Sequence, residues 1–198
     1  MIHVKNSHLE AHAFQTAKDN NVYCGDGFYL NLQNDYFLCV LADGLGSGRY
    51  AYEAAKAVTS VVESNPEESV DTLMDYCNKV LLRTRGAAVG ILKVDFQKRE
   101  FAYSCVGNIR FYVYTPAGKL IYPLPVTGYL SGRPQNFHTH LYSYEGQSKF
   151  LIHSDGFINI KTRDLLGGKH SVWTMTDQLK AKQINTTDDM SFIVGTLL

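Results

Sequence analysis

The order of the predicted elements favours an α+β fold with layered α/β/β/α architecture, in which sheets are covered by helices. Short strand-like runs come first, a pair of helices interrupts them, and a longer series of strand-like runs follows. One further helix and a final strand complete the chain. A doubly wound parallel sheet would show regular alternation of strands and helices, so the sequence does not favour that class.

Length and composition indicate one domain over residues 1–198. The chain is long enough to bury a substantial core, and 45% of its residues are hydrophobic, which argues against long disordered stretches. Nineteen basic residues balance nineteen acidic ones, so no net charge attracts nucleic acid or an anionic membrane. No apolar leader or membrane-spanning run is present, so we expect a soluble, cytoplasmic protein. A monomer is a separate expectation.

The four cysteines are widely spaced and form no Cys-x-x-Cys pair. We therefore expect reduced thiols in the core of a cytosolic protein, and no zinc site built from closely spaced thiolates. They are Cys24, Cys39, Cys77 and Cys105.

Eight short runs rich in apolar, β-branched and aromatic residues predict strands. They span residues 9–14, 27–33, 36–42, 87–96, 99–107, 109–116, 149–154 and 190–197. Short polar turns join the three runs that follow the helix pair, so we expect these to form an antiparallel meander, which the last two runs complete.

Apolar residues at helical spacing predict three helices. The first spans 49–63. The second begins with Asn65 as its N-cap and Pro66 at the first helical position. The third spans 171–182, with Ser171 as its N-cap.

Aspartates stand at the ends of predicted strands, where a rigid element can aim a side chain. Asp43 and Asp155 each end an apolar run and precede a glycine. Asp26 lies just before a strand, and the pair Asp188–Asp189 precedes the last one. If these strand ends meet, the carboxylates repel one another unless a cation lies between them. A site with only oxygen ligands favours Mg²⁺, Mn²⁺ or Ca²⁺ over zinc or copper.

The glycines after Asp43 fit the same hypothesis. Because Gly44 has no side chain, the backbone can approach closely and its carbonyl can join a coordination sphere. Gly46 and Gly48 allow the loop to fold back before the helix. Any one of these motifs alone is explained more simply as a solvated Asp-Gly turn. The joint pattern, with Asp-Gly ending two apolar runs and an acidic pair before the last strand, favours a metal centre.

Other interpretations of single motifs are weaker. The stretch GLGSG departs from the dinucleotide fingerprint, because Arg49 stands where the third glycine is needed. His138 and His140 could place two imidazoles on one strand face, but no third ligand is evident nearby. His153 lies on an apolar strand, where a semi-buried role is expected rather than a catalytic one. Aromatic residues of the meander are interpreted first as sheet core, and a partner-binding patch is the minority interpretation. The other histidines are scattered along the chain: His3, His8, His12 and His170.

Five short motifs, in order along nearly the whole chain, resemble the successive motifs of the PPM-type metal-dependent serine/threonine protein phosphatases. They are GD at 25–26, ADGLGSG at 42–48, VGN at 106–108, SDG at 154–156 and DDMSF at 188–192. The resemblance implies a sandwich of two mainly antiparallel sheets between helices, and a dinuclear manganese or magnesium centre. Leu45 stands where many members carry a histidine proposed to protonate the leaving group, so metal-bound water is expected to serve instead.

The resemblance also implies a role for each acidic residue. Asp43 is the catalytic carboxylate that bridges both cations, and Asp155 and Asp188 hold one of them. Asp26, through water, and the Gly44 carbonyl hold the other. Two further residues are implied to support the site: Asn108 and Asp189.

The short chain and the segment 110–132 narrow the resemblance to small Bacillus-type phosphatases of the general stress (sigma-B) pathway. This implies hydrolysis of phosphoserine and phosphothreonine by a metal-activated water, with phosphorylated scaffold proteins of the stressosome as substrates and a negative-feedback role. Two alternatives stay open: a catalytically silent binding module that keeps the fold, and a hydrolase of small phosphate esters. The four intact carboxylate positions argue against the silent module.

Overall fold

The computed structural model describes residues 1–157, 160–183 and 188–198. They contain two antiparallel sheets and four helices, which confirms the predicted α+β class. The strands are β1 (Ile2–Lys5), β2 (Leu9–Thr16), β3 (Asp26–Leu32), β4 (Tyr36–Gly44), β5 (Ala87–Asp95), β6 (Glu100–Val106), β7 (Arg110–Tyr114), β8 (Leu120–Ile121), β9 (Thr139–Ser143), β10 (Lys149–His153) and β11 (Met190–Leu197). The helices are α1 (Arg49–Ser64), α2 (Val70–Val80), α3 (Thr162–Gly167) and α4 (Val172–Lys180).

The elements form four layers. One sheet has the strand order β1-β2-β11-β10-β7-β8 and the other β3-β4-β5-β6-β9, and the ladders between these strands are antiparallel. The two sheets face each other across an apolar core that contains Phe37, Phe111 and Phe150. Helices α1 and α2 cover the outer face of the β3–β9 sheet, and α3 and α4 cover the outer face of the β1–β8 sheet. This is the predicted α/β/β/α arrangement.

Strand β4 shows why its sequence is continuously apolar rather than alternating. Phe37 and Leu41 belong to the core between the sheets, whereas Leu38 and Val40 pack beneath α1 and α2. A strand that is buried on both faces has no position for a solvent-facing polar residue. The first polar residue that β4 reaches is Asp43, at its end.

The expected meander is wrong at its third strand. Strands β5 and β6 pair as predicted, but β7 leaves them and joins the other sheet between β10 and β8. The chain crosses at residues 107–109, where Ile109 is fully buried in the core between the sheets. The place beside β6 is taken by β9, whose half-exposed sequence carries no clear strand pattern. Strands β10 and β11, which were expected to complete the meander, also belong to the other sheet.

The predicted start of the second helix is also wrong. Helix α2 begins at Val70, and its N-cap is Ser69, whose Oγ accepts a hydrogen bond from the Thr72 N–H at 3.2 Å. Asn65 instead ends α1, where its Nδ2 donates to the Val61 carbonyl at 2.8 Å. Because its side chain is used by the preceding helix, it does not cap the next one.

The other predicted helices agree closely with the structure. Helix α1 begins at the predicted residue, and Ser171 caps α4 by accepting a hydrogen bond from the Thr174 N–H at 3.1 Å. Helix α4 ends at Lys180 because the following residues, 181–183, form a 3-10 turn. The short elements α3, β1 and β8 were not predicted, since each offers too few residues for a periodic pattern, and β9 was missed because its sequence carries no clear strand pattern. In the described part of the chain, no helix combines the length and apolarity that crossing a membrane requires.

Replacing Ser69 by Ala removes the acceptor that caps α2 and leaves the Thr72 N–H without this partner. We expect the free energy of unfolding to fall by about 1 kcal/mol, measured by urea denaturation. The control is Ser7→Ala, because Ser7 is exposed, and its expected effect is below about 0.5 kcal/mol. Equal stability of the Ser69→Ala and wild-type proteins would contradict this assignment of the cap.

Candidate metal centre

Both sheets send carboxylates to the same end of the sandwich. Asp26 and Asp43 lie directly opposite each other in the β3–β4 ladder. Asp155 follows β10 and Asp188 precedes β11, and these two strands are neighbours in the other sheet. One cavity of about 490 Å³ is lined by Asp43, Asp155 and Asp188 together. The structure therefore brings together aspartates that are up to 162 residues apart, counting from Asp26 to Asp188 (188 − 26).

Asp26 is the most buried of these acids, with 3% of its surface exposed, and it lies behind the cavity lining. The hydroxyls of Ser154 and Ser191 both donate to its Oδ2, at 2.7 and 2.6 Å. Burial raises the pKa of Asp26 to about 7, although the two serine hydrogen bonds oppose the shift. The carboxylate thus sits in a place that disfavours its negative charge unless a positive charge is close.

Asp43 has the central place in the cluster. Burial, together with the negative charges of Asp26, Asp155 and Asp188, raises its pKa to about 8. Burial and Asp188 also raise the pKa of Asp155, against a 2.6 Å hydrogen bond that the Asn108 side-chain amide donates to Asp155 Oδ2. Among the described residues, few positive charges or donors therefore reach these mutually repelling acids, which is the electrostatic condition for binding cations.

The adjacent residues Asp188 and Asp189 have different roles: one lines the cavity and the other holds backbone segments together. Asp188 is exposed and lines the cavity, and its Oδ1 accepts the Asp189 backbone N–H at 2.9 Å. Asp189 is buried and accepts the backbone N–H groups of Lys18 and Gly25, at 2.9 and 2.8 Å. It therefore ties the segment before β3 to the start of β11 and holds Asp26 in position.

Two of the glycines beside the aspartates are required by close backbone contacts. A Cβ on Gly44 would collide with the Ala51 carbonyl of α1, and one on Gly156 would collide with the Asp189 carbonyl. Gly46 and Gly48 adopt positive φ angles of 95° and 72°, as expected for a loop that folds back before α1. The close approach predicted at Gly44 is thus made by a helix backbone.

Several residues of the site were not predicted from the sequence. Ser154 and Ser191, which hold Asp26, stand inside the SDG and DDMSF motifs, and their proximity to aspartates was the available signal. Residues 127–129 also line the cavity; they lie in the segment 110–132, which was singled out in the sequence without being assigned to the site. The Arg85 guanidinium lies against Gly46 and over the Tyr50 ring, 4.9 Å from its centroid. Arg85 therefore brings positive charge to the edge of the cavity.

No histidine is found among the described residues that line the cavity, where Leu45 occupies the family's histidine position. His153 lies nearby in sequence but is buried, and its Nδ1 is 2.7 Å from the Ser154 carbonyl. Burial lowers the pKa of His153 to about 4. His153 is therefore a buried, hydrogen-bonded residue, as the sequence predicted.

The chain was compared with known proteins. No family model matches it. The phosphoserine phosphatase RsbX of Bacillus subtilis (strain 168) is 39% identical over 198 residues, which cover 100% of both chains. A crystal structure of RsbX in complex with magnesium matches with a TM-score of 0.96 and 38% identity, over 100% of this chain and 99% of that one.

Two further solved structures share the fold. One, from work on the bacterial stressosome as a modular system, has a TM-score of 0.85 and 26% identity, over 94% of this chain and 98% of its own. The catalytic domain of the serine/threonine phosphatase PstP in complex with two manganese ions has a TM-score of 0.77 over 96% of this chain and 99% of its own, and at 15% identity it shows the fold alone. With its motifs, fold and full-length identity to RsbX, the chain belongs to the RsbX family of PPM-type metal-dependent serine/threonine phosphatases.

Proposed function

We propose that this chain hydrolyses phosphoserine and phosphothreonine in proteins, using two Mn²⁺ or Mg²⁺ ions held in the acidic cavity. The observation that carries the proposal is the convergence of carboxylates from both sheets on one cavity. Their raised pKa values reflect burial and mutual repulsion that bound cations relieve. The identity to a phosphoserine phosphatase and the magnesium bound in the RsbX crystal structure support the same conclusion.

The donor set fits hard divalent cations. We assign Asp43 as the bridging ligand, Asp155 and Asp188 as ligands of one ion, and Asp26, through water, with the Gly44 carbonyl as ligands of the other. Every assigned ligand atom is an oxygen, the donor that hard cations such as Mg²⁺ prefer, and such ions keep several waters in their coordination sphere.

When bound, the two cations lower the pKa of a water molecule and offset the negative charge of the phosphoryl group. The chain's own residues hold the ligands in place: Asn108 orients Asp155, and the two serines orient Asp26. We propose that water attacks the phosphorus directly, without a covalent enzyme intermediate. Leu45, which lines the cavity, offers no proton for the leaving group.

We further infer the biological setting. The substrates are phosphorylated scaffold proteins of the stressosome, and their dephosphorylation damps the general stress response as negative feedback. Support comes from the full-length relation to RsbX and the structural likeness to a protein from the stressosome study. The four cysteines are buried free thiols, which supports a reducing, cytoplasmic location. We propose that residues 1–198 act as one catalytic domain and as a monomer.

Hydrolysis of a phosphoserine peptide should require the bridging carboxylate. We expect Asp43→Asn and Asp155→Asn to lower the Mn²⁺-dependent rate by at least about 100-fold, because each removes a metal ligand. Chelator should abolish the wild-type rate. Asp164→Asn is the matched control, because Asp164 is exposed on α3, outside the cavity lining, and should keep full activity.

Three outcomes would contradict the proposal. Full activity of Asp43→Asn would remove Asp43 from the site. Hydrolysis of small phosphate esters without hydrolysis of phosphopeptides would indicate a metabolite hydrolase. Failure of the folded, Mn²⁺-loaded protein to hydrolyse either substrate would indicate a silent binding module.

The substitution Asp43→Asn should stabilise the metal-free protein. The folded-state pKa of Asp43, about 8, lies above that of the unfolded chain, so its burial penalty is absent at acid pH and grows as the pH rises from about 4 to about 8. We expect Asp43→Asn without metal, at a pH of about 8, to gain about 1–2 kcal/mol, or roughly 2–8 °C in Tm.

Scanning fluorimetry with and without Mn²⁺ measures this change. Mn²⁺ should raise the Tm of the wild type much more than that of Asp43→Asn, because a ligand stabilises only the state that binds it. Asp164→Asn should change stability by less than about 0.5 kcal/mol. A lower Tm of metal-free Asp43→Asn would show that the carboxylates do not repel one another.

A further inference from the structure

A second group of potential metal ligands lies on the outer face of the β1–β8 sheet. The β1–β2 ladder sets His3 directly opposite His12 and Lys5 opposite Glu10. Glu10 and His12 are two residues apart on β2, so they share a face. One ring nitrogen of each histidine and a carboxylate oxygen of Glu10 lie within 4.8 Å of one another. The interpretation of the histidines as scattered is therefore wrong for this pair, since the strand that carries His3 was not predicted.

This cluster is separate from the acidic cavity. Strand β2 reaches the cavity end at Thr16, which pairs with Met190 next to Asp189, whereas His12 pairs with Val194. Four residues of extended strand separate His12 from Thr16, or about 13 Å. None of the three cluster residues lines the acidic cavity.

The hydrogen bonds of His12 determine which of its nitrogens is free. His12 is fully buried, and its Nδ1 lies 2.8 Å from Thr176 Oγ1. The Thr176 hydroxyl donates its single proton to the Val172 carbonyl at 2.8 Å, so it can only accept from His12. Nδ1 therefore carries the proton, and Nε2 keeps a bare lone pair. Nε2 is buried and has no hydrogen-bond partner in the described part of the chain.

A buried imidazole with Nδ1–H bonded to the protein and Nε2 unpartnered has the arrangement typical of a metal-bound histidine, in which the other ring nitrogen is held by a neighbouring group. Burial lowers the pKa of His12, as does the neighbouring His3, and a lower pKa favours the neutral imidazole. An unsatisfied buried polar atom is costly unless a ligand uses it.

His3 and Glu10 complete the group at the surface. His3 Nε2 lies 3.2 Å from Glu10 Oε1, while Glu10 Oε2 accepts from Lys5 Nζ at 3.1 Å. Two ligands of a tetrahedral zinc ion, each at 2.0–2.1 Å from it, are about 3.3 Å apart. The His3 side chain is 36% exposed and the Glu10 side chain 17%, so both can adjust to an ion and an ion can enter from solvent.

We propose that His3, Glu10 and His12 bind one Zn²⁺ ion and so fasten β1 to β2 and, through Thr176, to α4. Two imidazoles and one carboxylate are ligands typical of zinc, and the fourth tetrahedral position remains for water. On binding, the proton between His3 and Glu10 moves to His3 Nδ1 or to solvent. Mg²⁺ prefers oxygen ligands and so does not compete for two imidazoles.

Trp173 offers a built-in reporter of this site. It is the chain's single tryptophan, and its ring centroid lies 4.2 Å from that of His12 and 5.5 Å from that of His3. Co²⁺, which takes zinc sites and quenches fluorescence, should therefore quench Trp173 when it binds here. The acidic cavity lies further along β2, beyond Thr16. Quenching of Trp173 therefore distinguishes an ion at His3, Glu10 and His12 from an ion in the acidic cavity.

Calorimetric titration of the tag-free full chain with Zn²⁺, in saturating Mg²⁺, tests the proposal. We expect one Zn²⁺ per chain. Both His3→Ala and Glu10→Gln should bind Zn²⁺ at least about tenfold more weakly, because losing even a group that supports a ligand has an effect of that size. The matched control is His138→Ala. The His138 and His140 rings are 4.7 Å apart, but among the described residues no third ligand joins them, so this variant should bind like the wild type.

Both test variants change partly exposed side chains, and circular dichroism checks that they fold. Wild-type protein that binds no Zn²⁺ in the presence of Mg²⁺ would overturn the proposal. Equal loss of affinity in His3→Ala and His138→Ala would also overturn it, because it would indicate unspecific binding to surface histidines. Co²⁺ that binds without quenching Trp173 would place the ion elsewhere.

Discussion

The mutual repulsion of five carboxylates at one end of the sandwich is the constraint on which the site depends. Asp26 and Asp43 come from one sheet, and Asp155, Asp188 and Asp189 come from the strand ends of the other. Neither sheet alone brings all five together. The apolar core between the sheets holds the two sets face to face, so the favourable free energy of burying that core maintains a charge arrangement that is unfavourable without cations.

The protein divides these acids into two kinds by what it offers each one. Asp26 and Asp189 are buried, and hydroxyl or backbone N–H donors hold their oxygens. Asp43, Asp155 and Asp188 face the cavity, where a single described side-chain amide, from Asn108, reaches Asp155. A buried carboxylate without donors would be very costly, so donors hold the two buried acids, and the three acids that face the cavity are left to contact ions directly.

The sequence predicted features that depend on local pattern. The apolar run of β4, the aspartate that ends it and the glycines that follow are all contiguous, and so is the Ser171 cap of α4. It failed where the outcome depends on distant parts of the chain. Asn65 is engaged by the helix before it, and β7 crosses to the other sheet. Neither choice is encoded within a few residues.

The aspartates of the cavity could be predicted from local motifs, whereas the cluster of His3, Glu10 and His12 could not. The aspartates were predicted to meet because each lies in a motif beside a strand end. The proximity of His3 and His12 arises from the pairing of a four-residue strand that has no strong pattern, and the unpartnered Nε2 depends on Thr176, which is 164 residues from His12. Such a site can be recognised only from the tertiary structure, whose hydrogen bonds assign the tautomer of His12.

Anomalous scattering from a manganese-soaked crystal is the most direct test of the central claim. The account predicts two peaks about 3.5–4 Å apart, with the Asp43 carboxylate between them and Asp155 and Asp188 beside one. The absence of any peak within coordination distance of Asp43 would contradict it.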